Sequence, residues 1–140
     1  LNAQLQKATE VWTALGCQVL HMSPQAHDAA YAAVSHLPHL IAFAMVNGIM
    51  AQQNGHDYMA LAGPGFRDFT RIAASNPQVW RDILLANREE LLAQSRIFQQ
   101  SLQSLEELIS SGNAEALESQ IGQASETRAH WRISSHNAPK

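Results

Sequence analysis

The stretch SPQAHDAAYAAVSHLPHLIAFAMVNGIMAQ, residues Ser23 to Gln52, is the most apolar segment of the chain. It opens with Ser-Pro, in which the serine caps a helix N-terminus and the proline takes the first helical position, where its missing N–H costs nothing. We therefore predict one helix from Ser23 to about Gln52. Pro38 lies inside this helix and should kink it, which frees the carbonyl of Val34 four residues earlier.

Upstream of this helix, the sequence predicts another helix followed by a single strand. Apolar residues recur at helical spacing before Gly16, which is a plausible helix stop. Cys17 to Met22 is apolar enough for a strand, but no other segment offers it a partner. A lone strand cannot satisfy its own backbone. We therefore expect residues 1–22 to be the end of a preceding α/β domain whose sheet lies outside this sequence.

The remainder of the chain predicts an all-α domain over residues 23–133, followed by a disordered tail at residues 134–140. Residues 54–66 are rich in Gly, Pro and Asn and predict a loop. Asn76-Pro77 starts a helix that runs to about Ser111, and the last helix runs from Ala114 to about Trp131. The long helix would measure on the order of 50 Å. A compact chain of this size has a radius of gyration of roughly 14 Å, so we expect a partner.

Composition limits what that partner can be. Hydrophobic residues make up 46% of the chain and charged residues 15%, against about 25% charged residues in typical domains, which indicates a surface buried against another subunit. The formal charge of −3, with nine Lys and Arg, argues against nucleic acid as a partner.

The N-terminus shows neither a signal-peptide layout nor a membrane span, and the single Cys17 fits a reducing compartment. We expect a cytoplasmic protein that binds no membrane.

Three histidines stand in the most apolar segment, at positions 27, 36 and 39. His36 and His39 lie on adjoining faces of a helix, whereas His27 lies about 120° from His39, so one metal ion could not easily take all three. The sequence HLPH also lacks the glutamate of the metalloprotease motif, and we predict no metal site. Two interpretations remain open. The histidines cap carbonyls freed at Pro38, or they anchor a bound ligand.

A second candidate segment is GPGFRDFTRIAAS, residues 63–75. Gly65 permits close approach of the backbone to a ligand. Arg71 stands alone in an apolar run, where an unpaired guanidinium would be costly, so an anion should meet it. That anion is either an internal carboxylate, Asp68 or Asp57, or a group on a ligand.

Cofactor motifs are absent from the sequence. It contains no G-x-G-x-x-G, no P-loop, no G-x-S-x-G and no C-x-x-C. We therefore expect no dinucleotide to be held by this chain.

Three blocks of the sequence closely resemble consecutive blocks of the prephenate dehydrogenases: VWTALGCQVLHMSPQAHD, AAVSHLPHLIAFAMVN and GPGFRDFTRIAASNPQVWRDILLANRE. The resemblance runs from Val11 to about Glu90. It implies an all-helical C-terminal dimerisation domain that follows an NAD(P)-binding Rossmann domain. It also implies an oxidoreductase of tyrosine biosynthesis, which converts prephenate to 4-hydroxyphenylpyruvate with loss of carbon dioxide. The histidine that activates the substrate hydroxyl lies in the dinucleotide domain of that family, so no catalytic residue is expected here, and the isolated chain should be inactive.

The resemblance also implies roles for individual residues. The positions implied to bind the substrate are His39, Arg71, Trp80 and Gly65, with His27, His36 and Ser35 as supports. By its position alone, four residues past the Asn76 cap, Trp80 would be a core aromatic. The sequence departs from the family at Pro64, where members often have a third glycine. Arogenate instead of prephenate, tyrosine as an inhibitor in the same pocket, and a non-catalytic dimerisation or ligand-sensing module remain alternatives.

Overall fold

The computed structural model describes residues 2–131, and the structural statements below concern that range. Within it the chain forms helices and no strand, which confirms the predicted all-α fold class. The successive elements are α1 (Asn2–Ala14), α2 (Pro24–Tyr31), a π-helical turn (Ala32–His36), α3 (Leu37–Met50), α4 (Gly55–Ala60), α5 (Pro64–Thr70), a 3-10 turn (Arg71–Ala74), α6 (Pro77–Ala86), α7 (Arg88–Ser111) and α8 (Ala114–His130).

The chain divides into two compact units. One consists of Leu1–Ser23 and Ser104–Lys140, and the other of Pro24–Gln103. In the first unit, the Nε2 group of Gln120 on α8 donates to the hydroxyl of Ser104 near the end of α7, at 3.3 Å. The second unit contains every residue that the sequence assigns to the candidate site. Within it, α3 packs against the π turn, α4, α5 and the 3-10 turn.

The helical run from Pro24 to Met50 begins at the predicted proline and ends close to the predicted position. Its one irregularity is the π turn. The N–H of Leu37 donates to the carbonyl of Ala32, five residues back, so the helix holds one extra residue just before Pro38. Because proline has no N–H to donate, it is tolerated in the first turn of α3. The irregularity predicted at Pro38 therefore takes the form of a π turn.

The loop predicted over residues 54–66 is wrong, because α4 and the start of α5 occupy most of it. Its glycines and proline lie at helix starts and not in an irregular segment. Pro64 takes the first position of α5, where its fixed φ suits a helix. Gly55 opens α4 where the chain folds back on α3, and a Cβ there would lie 2.5 Å from the carbonyl oxygen of Ile49. Only glycine permits that approach.

The single long helix predicted from Pro77 to Ser111 is also wrong, because it is divided at Asn87 into α6 and α7. Asn87 has φ −110° and ψ 34°, outside the helical region. Its side chain donates to the backbone carbonyl of Asp28 at 2.8 Å. The helix is thus interrupted at a residue that contacts another part of the chain. The second part, α7, has 24 residues and spans about 36 Å.

The segment between α1 and α2 explains why no strand forms at Cys17–Met22. The helix ends as predicted at Gly16, which has φ +83°. The N–H of Gly16 donates to the carbonyl of Thr13, and the N–H of Cys17 donates to that of Trp12, a pattern typical of a glycine-terminated helix. No strand forms elsewhere in residues 2–131 that could pair with Cys17–Met22, so this segment is irregular and the strand predicted there is wrong.

The described core is small. Its buried hydrophobic residues are Ala32, Ala42 and Leu91. The helical run Pro24–Met50 is long and apolar enough to cross a membrane by length and composition, and 11% of its most apolar window is buried. Large apolar side chains that are more than half exposed include Leu15, Val34, Leu61, Leu85 and Ile109. The chain by itself therefore leaves much apolar helix surface uncovered. The tail predicted at residues 134–140 lies outside the described residues.

Candidate functional site

A stacked pair of rings forms the centre of the candidate site. The imidazole of His39 on α3 and the indole of Trp80 on α6 have centroids 3.4 Å apart and planes inclined by 19°. Helix α6 is fixed at its start by Asn76, whose side-chain oxygen accepts from the N–H groups of Gln78 and Val79. Because this cap fixes the first turn of α6, it also fixes where Trp80 emerges.

Two further rings surround Trp80. Phe43 meets it edge to face at 6.4 Å between centroids, and His36 does so at 6.3 Å. We call His36, His39, Phe43 and Trp80 the aromatic cluster. Trp80 is part-buried and exchanges ring contacts with the other three members. Phe43 was not among the predicted site residues, although its position four residues after His39 places both on one face of α3.

The hydrogen bond of His39 fixes which ring nitrogen carries a proton. Its Nδ1 lies 2.9 Å from the backbone carbonyl oxygen of Ser35. A carbonyl only accepts, so Nδ1 donates, and Nε2 of the neutral ring keeps its lone pair. The two interpretations of the histidines therefore apply to different atoms of one ring. Nδ1 binds a carbonyl beside Pro38, at Ser35 and not at Val34, while Nε2 can still meet a ligand.

His36 is held in the opposite tautomer. The amide Nδ2 of Asn87 donates to Nδ1 of His36 at 3.2 Å and to the backbone carbonyl of Asp28 at 2.8 Å. Nδ1 of His36 is thus an acceptor, and the proton of the neutral ring lies on Nε2. Burial lowers the pKa of His36 below its ordinary value of 6.5, His27 and His39 lower it further, and Asp28 acts in the opposite direction. His36 is consequently neutral at physiological pH.

His27 lies apart from the ring contacts of the aromatic cluster. It is exposed, pairs with Asp28 at 3.0 Å between Nδ1 and Oδ1, and stacks on Tyr31 with centroids 4.5 Å apart. Its link to the cluster is electrostatic, through the pKa of His36. Among residues 2–131, no group of three or more His, Cys, Asp and Glu side chains could hold a metal ion.

Arg71 opens the 3-10 turn that packs against α3, the helix of His39. Its side chain is exposed and makes no hydrogen bond or ion pair with any residue of the described range. Asp68, one of the two carboxylates expected as an internal partner, pairs instead with Arg67 at 3.0 Å. The other, Asp57, makes no ion pair with Arg71 either. The guanidinium is therefore available to an anion from outside the described chain.

An open groove of about 480 Å³ runs beside the aromatic cluster. Phe43 and Trp80 form part of its wall, together with Leu84 on α6. Its polar side chains are Ser75, which donates to the carbonyl of Ile72, and Arg81, which pairs with Asp82. The groove is mainly apolar, and two of its walls are aromatic rings that suit a flat ring ligand.

Gly65 lies in the first turn of α5, and no contact within the chain explains why this residue is a glycine. Its φ is not positive, and a Cβ added there would meet no atom within 4 Å. Neither backbone conformation nor packing therefore requires glycine at this position. The lining of the groove does not include His39 or Arg71. The same unit therefore offers aromatic groove walls and, outside them, a free imidazole nitrogen and an unpaired guanidinium, groups that suit an anionic ligand.

These features define a class: a helical domain that leaves apolar faces uncovered and carries an exposed, unpaired arginine beside a partly aromatic groove. Residues 23–123 match the family model described as "Prephenate dehydrogenase, dimerization domain". The chain belongs to the prephenate dehydrogenase family, as its C-terminal domain.

Curated relatives and solved structures agree with this membership. The chain is 42% identical to prephenate dehydrogenase of Bacillus subtilis over 52% of its own length and 20% of that protein. It is 34% identical to cyclohexadienyl dehydrogenase of Zymomonas mobilis over 77% of its own length and 38% of that protein. It is similar to the crystal structure of prephenate dehydrogenase from A. aeolicus in complex with hydroxyphenyl propionate and NAD+, with a TM-score of 0.87 and 38% identity over 92% of this chain and 46% of that chain. The chain thus spans less than half the length of each of these relatives.

Proposed function

We propose that this chain is the dimerisation and substrate-binding part of a cytoplasmic NAD(P)-dependent prephenate dehydrogenase of tyrosine biosynthesis. The observation that carries the proposal is the unpaired Arg71 guanidinium on a turn that packs against the helix of His39. The reaction would oxidise and decarboxylate prephenate to 4-hydroxyphenylpyruvate. The sequence offers no glycine-rich phosphate loop for a dinucleotide, so we assign the cofactor, NAD or NADP, to a part of the protein outside these 140 residues.

The chemistry of prephenate matches the groups that the site leaves free. Prephenate carries one carboxylate on its six-membered ring and a second on its pyruvyl side chain. The planar guanidinium of Arg71 suits bidentate binding of one carboxylate. Nε2 of His39 can meet the other end of the ligand, as an acceptor from a hydroxyl when the ring is neutral and as a donor to a carboxylate when it is protonated. Trp80 and Phe43 would supply the apolar wall.

We also propose that the functional unit is a homodimer. The family model is described as a dimerization domain, and the exposed apolar helix surface agrees with that description. The helical run Pro24–Met50, though apolar enough for a membrane, carries Asp28, His36 and His39. Charged and imidazole groups are costly in the hydrocarbon core. A subunit interface with a site at its edge accommodates them better.

Arogenate is the second candidate substrate, because one relative is a cyclohexadienyl dehydrogenase. Arogenate carries an amino group where prephenate carries a keto group, so its side chain has an ammonium beside the carboxylate. Turnover of both compounds by the full-length protein should be compared at equal enzyme concentration. The product of the prephenate reaction leads to tyrosine, whose shape is similar to that of the substrate. Tyrosine added to the assay should therefore compete with the substrate for the same groove.

The decisive experiment replaces Arg71 by Gln in the full-length protein. If the guanidinium binds a substrate carboxylate, the variant loses about 2–4 kcal/mol, or roughly 30- to 1,000-fold in kcat/KM. Most of the loss should appear in KM, because the carboxylate is charged both before and during the reaction. The matched control is Arg96→Gln, which removes another exposed arginine of the same unit. An unchanged KM together with a lowered melting temperature would remove Arg71 from the site.

The non-catalytic alternative is tested by comparing the isolated chain with the full-length protein. Residues 1–140 alone should show no NAD-dependent turnover of prephenate, because they contain no dinucleotide motif. The full-length protein, in contrast, should turn prephenate over. Full-length protein that binds prephenate without oxidising it would favour a ligand-sensing module.

A further inference from the structure

Asn87 joins two parts of the second unit that are distant in sequence. It lies between α6 and α7, and both hydrogens of its amide are used. One goes to the backbone carbonyl of Asp28 at 2.8 Å, and the other to Nδ1 of His36 at 3.2 Å. These partners lie 59 and 51 residues away in the sequence. A helix cap alone would not require either contact.

The carbonyl of Asp28 fixes the orientation of the Asn87 amide. A backbone carbonyl can only accept, so the atom that faces it must be Nδ2 and not Oδ1. The same atom then faces His36, so Nδ1 of His36 must accept. Rotation of the amide by 180° would place Oδ1 against the carbonyl oxygen of Asp28 and lose that hydrogen bond, although an Nδ1–H tautomer of His36 could still donate to Oδ1. The arrangement therefore selects the His36 tautomer whose proton is on Nε2.

His36 transmits this constraint to the other rings of the aromatic cluster. It meets the indole of Trp80 edge to face at 6.3 Å, and Trp80 lies flat on His39 at 3.4 Å. The charged and titratable groups that act on His36 are His27, Asp28 and His39. A proton on Nδ1 of His36 would point at the amide hydrogens of Asn87 and push the ring away from its present position. Trp80 would then lose its edge contact.

We propose that Asn87 is a positioning residue, which locks His36 as its neutral Nε2–H tautomer and through that ring holds Trp80 against His39. The inference rests on the proposed function of the aromatic cluster as a substrate site. Asn87 itself lines a separate polar cleft beside Asp28 and Arg88, and we assign it no contact with the ligand.

The test uses the full-length protein with 15N-labelled histidine and four variants. Asn87→Ala removes both hydrogen bonds, and Asn87→Asp presents only acceptors to His36. The control is Asn113→Ala, which removes the N-cap of α8 in the other unit. The His36 resonances are assigned with His36→Gln, and KM and kcat for prephenate are measured for each variant.

In the wild type at pH 8, we expect Nδ1 of His36 to be unprotonated and Nε2 to carry the proton. In Asn87→Asp the proton should move to Nδ1, and in Asn87→Ala both tautomers should appear. KM should rise about 2- to 10-fold in both variants with little change in kcat, as expected for one or two lost hydrogen bonds in a binding platform. Asn113→Ala should lower the melting temperature without changing the His36 shifts or KM.

Two results would overturn the inference. One is a wild-type protein whose His36 carries its proton on Nδ1 at pH 8. The other is an Asn87→Ala variant with unchanged His36 shifts and unchanged KM. A full-length protein without any dehydrogenase turnover would contradict the proposed function instead, and the His36 shifts, which need no substrate, would then decide the inference alone.

Discussion

The imidazole of His39 lies flat on the indole of Trp80, with ring centroids 3.4 Å apart. A stacked imidazole cannot rotate freely, and Nδ1 is already bound to the carbonyl of Ser35 at 2.9 Å. The position of Nε2 is therefore determined before any ligand arrives. Preorganisation of this kind reduces the entropy lost on binding. If His39 binds the substrate as proposed, Trp80 contributes to affinity by fixing the ring of His39 as well as by forming part of the groove wall.

Replacement of Trp80 by Ala should weaken substrate binding through His39. An aromatic pair contributes about 0.5–1.5 kcal/mol beyond its buried area, so KM should rise by roughly 2- to 13-fold, while Trp80→Phe should recover part of the loss. Steady-state kinetics on the full-length protein measures both. The control is Trp12→Ala on α1, an exposed tryptophan of the other unit. Equal KM values for Trp80→Ala and the wild type would show that the stack does not serve binding.

Acidification should destabilise the fold through His36. Its pKa in the folded protein is below the ordinary value of 6.5, so the unfolded chain binds a proton more readily than the folded one. The contribution of His36 to the free energy of unfolding is fully present above pH 6.5. It decreases as the pH drops below 6.5 and becomes constant below the pKa of His36 in the folded protein. Melting temperatures measured from pH 8 to pH 5 should show this decline.

The variant His36→Gln removes the titrating group and should flatten that pH dependence. A variant with the same decline as the wild type would assign the acid sensitivity to another group.

Gly65→Ala separates a structural glycine from a functional one. An added methyl group meets no atom of the chain within 4 Å, so the free energy of unfolding should stay equal or rise by up to about 1 kcal/mol, since alanine restricts the unfolded chain. KM should nevertheless increase several-fold if a ligand approaches this backbone. Gly122→Ala in α8 is the matched control, since a Cβ there is also unobstructed. A Gly65→Ala protein that is more stable and has an unchanged KM would show that no ligand approaches here.

Val34→Asp tests the homodimer. Val34 lies in the π turn and is 74% exposed in the single chain. We expect the wild-type protein to sediment as a dimer at micromolar concentration, and a charge placed at Val34 to shift it toward the monomer, because an unpaired carboxylate is costly in an apolar interface. A wild-type protein that is a stable monomer under these conditions would contradict the dimer. An unaffected Val34→Asp dimer would exclude this face from the interface.

Local signals in the sequence predicted the helix boundaries at Pro24 and Pro77, where a cap residue followed by proline needs nothing beyond its neighbours. The lack of a pairing partner for the segment after Gly16 was also predictable, because a strand needs a second strand that the sequence does not supply. The break at Asn87 was not predictable in this way. Its cause is a pair of acceptors more than 50 residues away, and no spacing within α6 or α7 reveals them.

The candidate site, like the fold, was predictable from the sequence only in part. We could name His39, Arg71 and Trp80 from the sequence because the blocks that contain them resemble a known family. Their contacts with a ligand remain predictions. The stack of His39 on Trp80 could not be predicted, since it depends on how α3 and α6 pack. The loop predicted over residues 54–66 failed for a different reason. Glycine and proline are compatible with helix starts as well as with loops, and only packing against α3 decides between them.

The π turn at Ala32–His36 sets the rotational phase between the two halves of the apolar helix. Deletion of one residue there would restore a regular α-helix and rotate everything upstream by about 100° relative to α3. The carbonyl of Asp28 would then turn away from Asn87, while His39 kept its place. Natural variants of this domain should therefore keep the number of residues in this segment, so that its length carries information that residue identity does not.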